Sequence, residues 1–500
     1  MSAAPTLVGS AWRPQAIRHF LFVQSRRWQY AVLSALLAAL LALPFYENDS
    51  MWLGAGVALM VLIAWHFVIV GRRVPWIPGL AIATAALQWV IAPWITYHIG
   101  AYFVAFEMAV PASQYFAYAV PALAMLVVGM LLPLRKAGRR APPPAAKTEP
   151  LTRAFRGTCD AMVVGGILTQ LVIAPMLGGG SLAFVGVLVG NLAFVGALSL
   201  LLARAPGWWI RTAAVIGVQA LISASNGMFH DLLLWSSYFA LTAIFVYRLR
   251  LRSIALMVVA GLAVIMVLNV VKSQFREALG TTEAGLFGRA ALLGSTMIEN
   301  ADPEVAYEGK GFKANVTRLN QGWIIARVLY WVPNREPYAG GATIKEAVMA
   351  TLLPRFLDPG KLELGGRSYF QRFTGMDLRG TSMDLSVAGE TYVNYGYWGG
   401  LIGVLVFGWF VGMVYRVFLR LGNHSRLWWA WAPFVLLYST RAENNIAEVT
   451  NLVVKSTVVM LAVIFVVPAW ATLRQGLRAR LARTLRLGGA SGAPPRATRG

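Results

Sequence analysis

Between Lys272 and Gly396 this chain gathers the side chains that could do chemistry. The stretch holds 13 of the 21 Asp and Glu residues and 14 of the 44 Lys and Arg. Its arginines include Arg318, Arg327, Arg355, Arg367, Arg372 and Arg379, with Lys361 among them. A guanidinium is a planar fork that bonds phosphate oxygens in pairs and keeps its proton at any working pH. A cluster of them above an apolar pocket suits an anionic headgroup. Arg318, Arg327 and Arg355 are the strongest candidates, because apolar and aromatic runs adjoin them; Lys361 and Arg372 rank behind. Pairing with the loop's own acids is the plainer account, and the near balance of charge allows it for at least half of these side chains.

Three further groups carry polar chemistry. Ser386 to Tyr397 contains Glu390, Tyr392, Asn394 and Tyr395. Glu390 is the first choice for a base or an oriented acceptor facing a hydroxyl; its plainer role is to favour the dipole at a helix start. Arg441, Glu443, Asn444, Asn445 and Glu448 form a second group. Glu443 is the second choice of base and Arg441 a further phosphate contact. Glu448, Asn451 and Lys455 share one helical face, with Lys455 about 10 Å below Glu448 at roughly 1.5 Å per residue. An ionisable pair inside a span marks function or is simply structural. The third group, Ser223 to Asp231, holds His230, which reads better as a loop histidine than as a base.

The elements that must position these residues are membrane helices. The sequence is 58% hydrophobic and only 13% charged, whereas a soluble domain is nearer a quarter charged. Apolar runs near the 20-residue crossing length recur without strand-like alternation. The expected fold is an all-α polytopic membrane protein of about 12 spans with one large, partly helical outer loop. Spans one to nine and their short loops fill 1–271, at about 31–46, 52–70, 78–97, 113–134, 159–176, 181–203, 208–224, 230–247 and 253–271. The large loop is 272–396. Spans ten to twelve fill 397–470, at about 397–418, 427–439 and 450–468. A basic tail, 471–500, follows and reads as disordered and cytoplasmic.

Placing the N-terminus inside puts Arg72 and Arg73, the proline-stiffened basic linker 135–156, Arg204, Arg248–Arg252, Arg416–Arg426 and the tail on the cytoplasmic face. The large loop then lies outside. The positive-inside rule therefore accounts for the net charge of +23 without nucleic acid, for which no recognition motif appears. One cysteine, Cys159, excludes an internal disulfide and a multi-cysteine metal site. Within the loop, 318–332 reads as one helix ended by Pro333. Thr343 and Glu346 have capping-box spacing at the start of another, through Leu353.

At these residues the sequence resembles the Wzy-type polymerases of bacterial O-antigen and exopolysaccharide. The resemblance rests on Arg318-Leu-Asn-Gln-Gly-Trp323, Leu353-Pro-Arg-Phe356, Gly389-Glu-Thr-Tyr-Val-Asn394 with Gly396, and Arg441-Ala-Glu443. Arg355 and Gly366 fit an R-x10-G spacing found in such loops. Members often carry an arginine just after the span corresponding to seven, where this chain has Ser225-Asn226-Gly227.

The resemblance implies an inner-membrane glycosyltransferase with both termini cytoplasmic and a periplasmic loop. Its donor is a glycan on undecaprenyl pyrophosphate and its acceptor a lipid-linked repeat unit. A flippase and a chain-length regulator are the implied partners, and no metal or cofactor is expected. Arg318, Arg327, Arg355 and Arg441 then stabilise the leaving pyrophosphate, while Glu390 or Glu443 serves the acceptor hydroxyl. An O-antigen ligase is the runner-up, but the large loop lacks a histidine. A flippase or transporter would show repeat symmetry, and an exosortase-type protease would need an outward cysteine.

Overall fold

The computed structural model describes residues 54–60, 74–135, 151–177, 181–250, 252–261, 309–352, 367–377, 383–422 and 425–467, with a few isolated positions besides. Among these residues every regular element is helical and no strand occurs. Span one, most of span two, the latter part of span nine, the centre of the basic linker and the tail lie outside the described residues.

Residues 54–60 are helical, and the next helix, α1 (Ile77–Ile99), contains a π turn at Leu87–Ile91. Pro93 has no N–H to give to the carbonyl of Trp89, four residues earlier. The Tyr115 hydroxyl donates to that carbonyl instead, at 2.7 Å. Then come α2 (Ala112–Arg135), α3 (Arg153–Met176) and α4 (Phe184–Leu202). They are followed by α5 (Trp208–Asn226), α6 (His230–Tyr247) and α7 (Arg252–Gly261). The large loop supplies α8 (Gly309–Leu319), α9 (Gly322–Trp331), α10 (Ala342–Leu352) and α11 (Arg367–Thr374). The last three helices are α12 (Ser386–Gly422), α13 (Trp428–Leu436) and α14 (Ile446–Val466).

Six of these, α1, α2, α3, α4, α12 and α14, are long and apolar enough to cross a membrane. They coincide with expected spans three, four, five, six, ten and twelve. Expected spans seven and eight are the helices α5 and α6, which are less apolar. Expected span eleven is α13, and all nine of its residues are buried. At about 1.5 Å per residue it covers only about 14 Å, and a helix that is apolar all round belongs inside the bundle.

Small residues let the longest helices touch. A Cβ on Gly412 would stand 2.4 Å from the Met130 carbonyl, and one on Gly408 2.7 Å from that of Leu126. So α12 and α2 pack backbone to backbone, as membrane helices do when side chains cannot drive association. Hydroxyls reinforce the pair: Tyr118 donates to Ala388 O at 2.8 Å and Tyr397 to Ala117 O at 2.9 Å.

The large loop is folded where it is described. Trp323, Ile324, Val328, Val332, Phe370, Phe373, Leu385 and Val393 form a second apolar core. The expected single helix over 318–332 is two. Asn320 interrupts it, its Oδ1 accepting from Trp323 N at 3.2 Å while its Nδ2 donates to Thr96 Oγ1 at 2.9 Å. A short amide side chain competes well for its own backbone, and here it also ties the loop to α1. Arg318 and Arg327 thus belong to different helices. Gly396 breaks α12 at φ 68 and ψ −160, a backbone that glycine reaches without strain. The break lies where the sequence divides outer loop from span ten, so Ser386–Tyr395 forms a helical approach to the shaft beyond it.

Candidate functional site

The segment Arg441–Ile446 is the hub of the polar chemistry. It leaves α13 through a short 3-10 turn, Leu437–Thr440. Its backbone is pinned to α1: Thr84 donates to Thr440 O at 2.7 Å and Trp89 Nε1 to Ala442 O at 3.3 Å. It ends at Asn445, the N-cap of α14, whose Oδ1 accepts from Glu448 N at 2.8 Å. Such a cap satisfies one of the donors that a helix start leaves open.

Glu390 reaches this helix start from α12. Its Oε2 accepts from Ile446 N at 2.8 Å and its Oε1 from the Thr343 hydroxyl at 3.1 Å. The side chain is 3% exposed. Asn394, one turn on, donates to Thr343 Oγ1 at 2.6 Å and to Glu390 O at 2.8 Å, and accepts from Gly341 N at 2.9 Å. The expected capping box is therefore corrected. α10 starts at Ala342, so Thr343 lies inside its first turn, and its hydroxyl serves Glu390 and Asn394. The dipole that Glu390 favours is that of α14 rather than of its own helix.

Beside it stands a pair of acids. Asn445 Nδ2 donates to Asp384 Oδ1 at 2.9 Å, and Asp384 shares a hydrogen bond with Glu448. Burial, then the Glu448 carboxylate, push the Asp384 carboxyl well above its usual range. Glu448 thus has Asp384 as a partner. Lys455, seven residues on, sets its ammonium 4.7 Å from the centre of the Phe184 ring. Tyr369, Phe370, Met383, Asp384, Leu385, Glu390 and Asn445 line a narrow crevice here. The buried Tyr369 hydroxyl finds no partner among the described residues. Burial, then the negative charge of Glu390, hold that phenol far above its ordinary range.

On the other side of the segment, Arg441 is paired with Asp231 and lies 4.5 Å over the Tyr438 ring. His230 Nδ1 meets Glu443 Oε1 at 2.9 Å. Burial lowers the pKa of Arg441, with Glu443 and Glu448 opposing. Burial acts to raise the Glu443 carboxyl, but the His230 hydrogen bond and charge, a backbone hydrogen bond and the Arg441 charge together leave the group below its ordinary value. Arg441 Nε, Glu443 Oε2, Asn444 Nδ2 and Asn451 Oδ1 are buried without a partner among the described residues. Unpaired buried polar atoms cost about 1–3 kcal/mol each, and these four gather around the junction into α14.

The structure thus brings together Glu390, Asn394, Arg441, Glu443, Glu448 and His230. It keeps Arg327 and Arg372 with the loop's own core. Arg327 Nε donates to Thr374 O at 3.0 Å, and its guanidinium lies 5.6 Å from the Tyr330 ring centre. Arg372 is exposed and bonded to Glu336 at 2.6 Å, the pairing with the loop's own acids that the charge balance allowed. Arg318 ends α8, half-buried. Arg355 and Lys361 lie outside the described residues. Asp384, Asp231 and Tyr369 went unchosen at the level of sequence. Only the spacing of Asp384, two residues before a helix start, hinted at it.

Among the described residues no three His, Cys, Asp or Glu side chains converge as metal ligands. No protein-family model matches this chain, no curated protein matches it, and no solved structure matches its fold.

Proposed function

We propose that this chain is a bacterial polysaccharide polymerase of the Wzy type, joining lipid-pyrophosphate-linked oligosaccharide units on the periplasmic side of the inner membrane. One observation carries the reading: at a single end of the bundle, a buried arginine, a histidine–carboxylate pair and an acid-lined crevice with aromatic walls meet at Arg441–Ile446. Carboxylates and amides accept or orient sugar hydroxyls. A guanidinium beside them stabilises charge developing on a pyrophosphate.

In this reading the acceptor hydroxyl attacks the anomeric carbon of the donor glycan. The bond from that carbon to the pyrophosphate oxygen breaks, and the lipid pyrophosphate leaves with the electron pair. The hydroxyl proton passes to a carboxylate. Glu443 is better placed for this than Glu390, because its Oε2 has no partner among the described residues whereas both Glu390 oxygens are occupied. Glu390 and Asn394 then hold the crevice in shape, and Arg441 stabilises the charge that develops on the pyrophosphate. Undecaprenyl tails lie along the apolar helices, and both termini face the cytoplasm. A flippase and a chain-length regulator supply substrate and set product size.

The test is a gel of surface polysaccharide from cells lacking the protein, complemented with wild type, Arg355→Ala, Arg441→Lys or Glu443→Gln at matched expression. A ladder that collapses to a single repeat in the deletion and in the variants supports the reading. A ladder that persists without its lipid anchor supports ligation of the finished glycan to lipid. That second reading is favoured by His230, which the fold brings against Glu443. An unchanged surface glycan overturns both.

A further inference from the structure

At the far end of α6 from His230, three arginines surround one cavity. The cavity has a volume of about 260 Å³ and is lined by Leu202, Ala203, Arg204, Phe245, Val246, Arg248 and Arg426. Arg204 follows the end of α4, Arg248 caps the end of α6, and Arg426 lies just before α13. Among the described residues no Asp or Glu lines the cavity. It is separate from the acid-lined crevice, since α6 has His230 at one end and Arg248 at the other, about 27 Å apart at roughly 1.5 Å per residue.

We propose that Arg204, Arg248 and Arg426 form a binding site for a phosphate group, carried by an anionic lipid headgroup or free in solution. Three arginines line one cavity, and each guanidinium offers forked donors that match phosphate oxygens. Burial, then the charges of Arg204 and Arg248, press the Arg426 guanidinium below its ordinary pKa. The backbone is also committed to the arrangement. Arg204 and Arg248 adopt φ of 51 and 50, left-handed values that a non-glycine residue holds at a cost of about 1–2 kcal/mol. Two of the three such residues among those described line this one cavity, and strain of that kind persists where a site needs it.

The Arg204 guanidinium is held in place, donating to Val246 O and lying 5.4 Å from the Tyr247 ring centre. Trp208 and Tyr247, with ring centres 5.9 Å apart, stand at the same end. Paired Trp and Tyr at helix ends sit at headgroup depth in a bilayer, where basic pockets between helices hold lipid phosphates.

The test uses the purified full chain in neutral detergent, with thermal unfolding followed by tryptophan fluorescence. Short-chain phosphatidylglycerol, short-chain phosphatidylcholine and inorganic phosphate are titrated separately. Phosphatidylglycerol is expected to raise the Tm saturably and phosphatidylcholine to leave it unchanged. A response to inorganic phosphate at equal or lower concentration assigns the site to a free phosphate, and its absence to a lipid. Arg248→Gly separates folding from binding: glycine accepts φ 50 and favours a helix C-terminus. Its ligand-free Tm is expected to match or exceed wild type, while half-saturation rises at least tenfold. Arg426→Gln is expected to do the same without the gain in Tm. Arg250→Gln with Arg252→Gln removes two charges near the same end but outside the cavity, and is expected to shift half-saturation less than twofold. Equal weakening by the Arg250/Arg252 pair overturns the proposal, as does the absence of any response to both phosphate probes.

Discussion

The carboxylate of Glu390 accepts the backbone N–H of Ile446 at 2.8 Å, across 56 positions of sequence. The contact joins the approach helix of α12 to the first turn of α14 and fixes where Arg441–Asn445 must run between them. Both oxygens of this acid are engaged in the fold, one by Ile446 N and the other by the Thr343 hydroxyl.

Replacing Glu390 separates bracing from proton transfer. Glu390→Ala strands a backbone donor and a buried hydroxyl, and is expected to cost about 2–4 kcal/mol. Glu390→Gln keeps an acceptor for Ile446 N and is expected to lose under half of that. Thermal unfolding of the detergent-purified chain measures both. If the glutamine variant is as stable as wild type yet forms no ladder, Glu390 is a proton acceptor after all and the brace is secondary.

The Asp384 carboxyl gives stability a pH slope. Its folded pKa is raised, so the native state binds the proton more tightly than the unfolded chain does. Stability from this group is complete below the ordinary carboxylate range and is lost as pH rises through the folded pKa. The slope over that window is about 1.4 kcal/mol per pH unit. Asp384→Asn mimics the protonated form and is expected to flatten the decline in Tm between mildly acidic and alkaline buffer. An undiminished slope in the asparagine variant would place the titrating proton elsewhere.

His230 is the largest of the groups that oppose burial at Glu443, and with a backbone hydrogen bond and Arg441 it holds that carboxyl below its ordinary value. Removing it in His230→Ala is expected to raise the Glu443 pKa. With Glu443 as base, the acid limb of the rate profile for joining lipid-linked repeats in vesicles is expected to move to higher pH. A profile that falls in height without moving would leave His230 as a packing residue.

Close helix contact makes α12 intolerant of side chains at its glycines. A Cβ on Gly412 meets the Met130 carbonyl at 2.4 Å, and neither backbone can yield cheaply. Gly412→Val is expected to abolish recovery of folded protein. Gly217→Val, where an added Cβ meets nothing within 4 Å, is expected to be recovered at wild-type levels. Size-exclusion profiles of the two variants compare them directly.

Much of the architecture is legible from apolar run length: α1, α2, α3, α4, α12 and α14 fall close to the spans read from sequence. α13 was legible as apolar but not as buried, because Trp428–Leu436 has the same composition whether lipid or protein surrounds it. The polar cluster near Glu443 is visible as a run of residues that have no place in hydrocarbon. Its wiring is not. Thr343 and Glu346 carry capping-box spacing, and only the position of Glu390 in space decides that the threonine turns inward. Arg327 ranks above Arg372 in sequence, yet a carbonyl at Thr374 and a carboxylate at Glu336 give both of them local partners that no spacing announces.

The order in which a ribosome delivers these residues has a consequence for assembly. Asp384 enters the growing protein 61 residues before the Asn445 amide that holds it, and Glu390 enters 56 before the Ile446 N–H. Until α14 is made, neither acid has those donors. A chain stopped before α14 therefore leaves both carboxyls without the groups that hold them, and the arrival of that one helix supplies both.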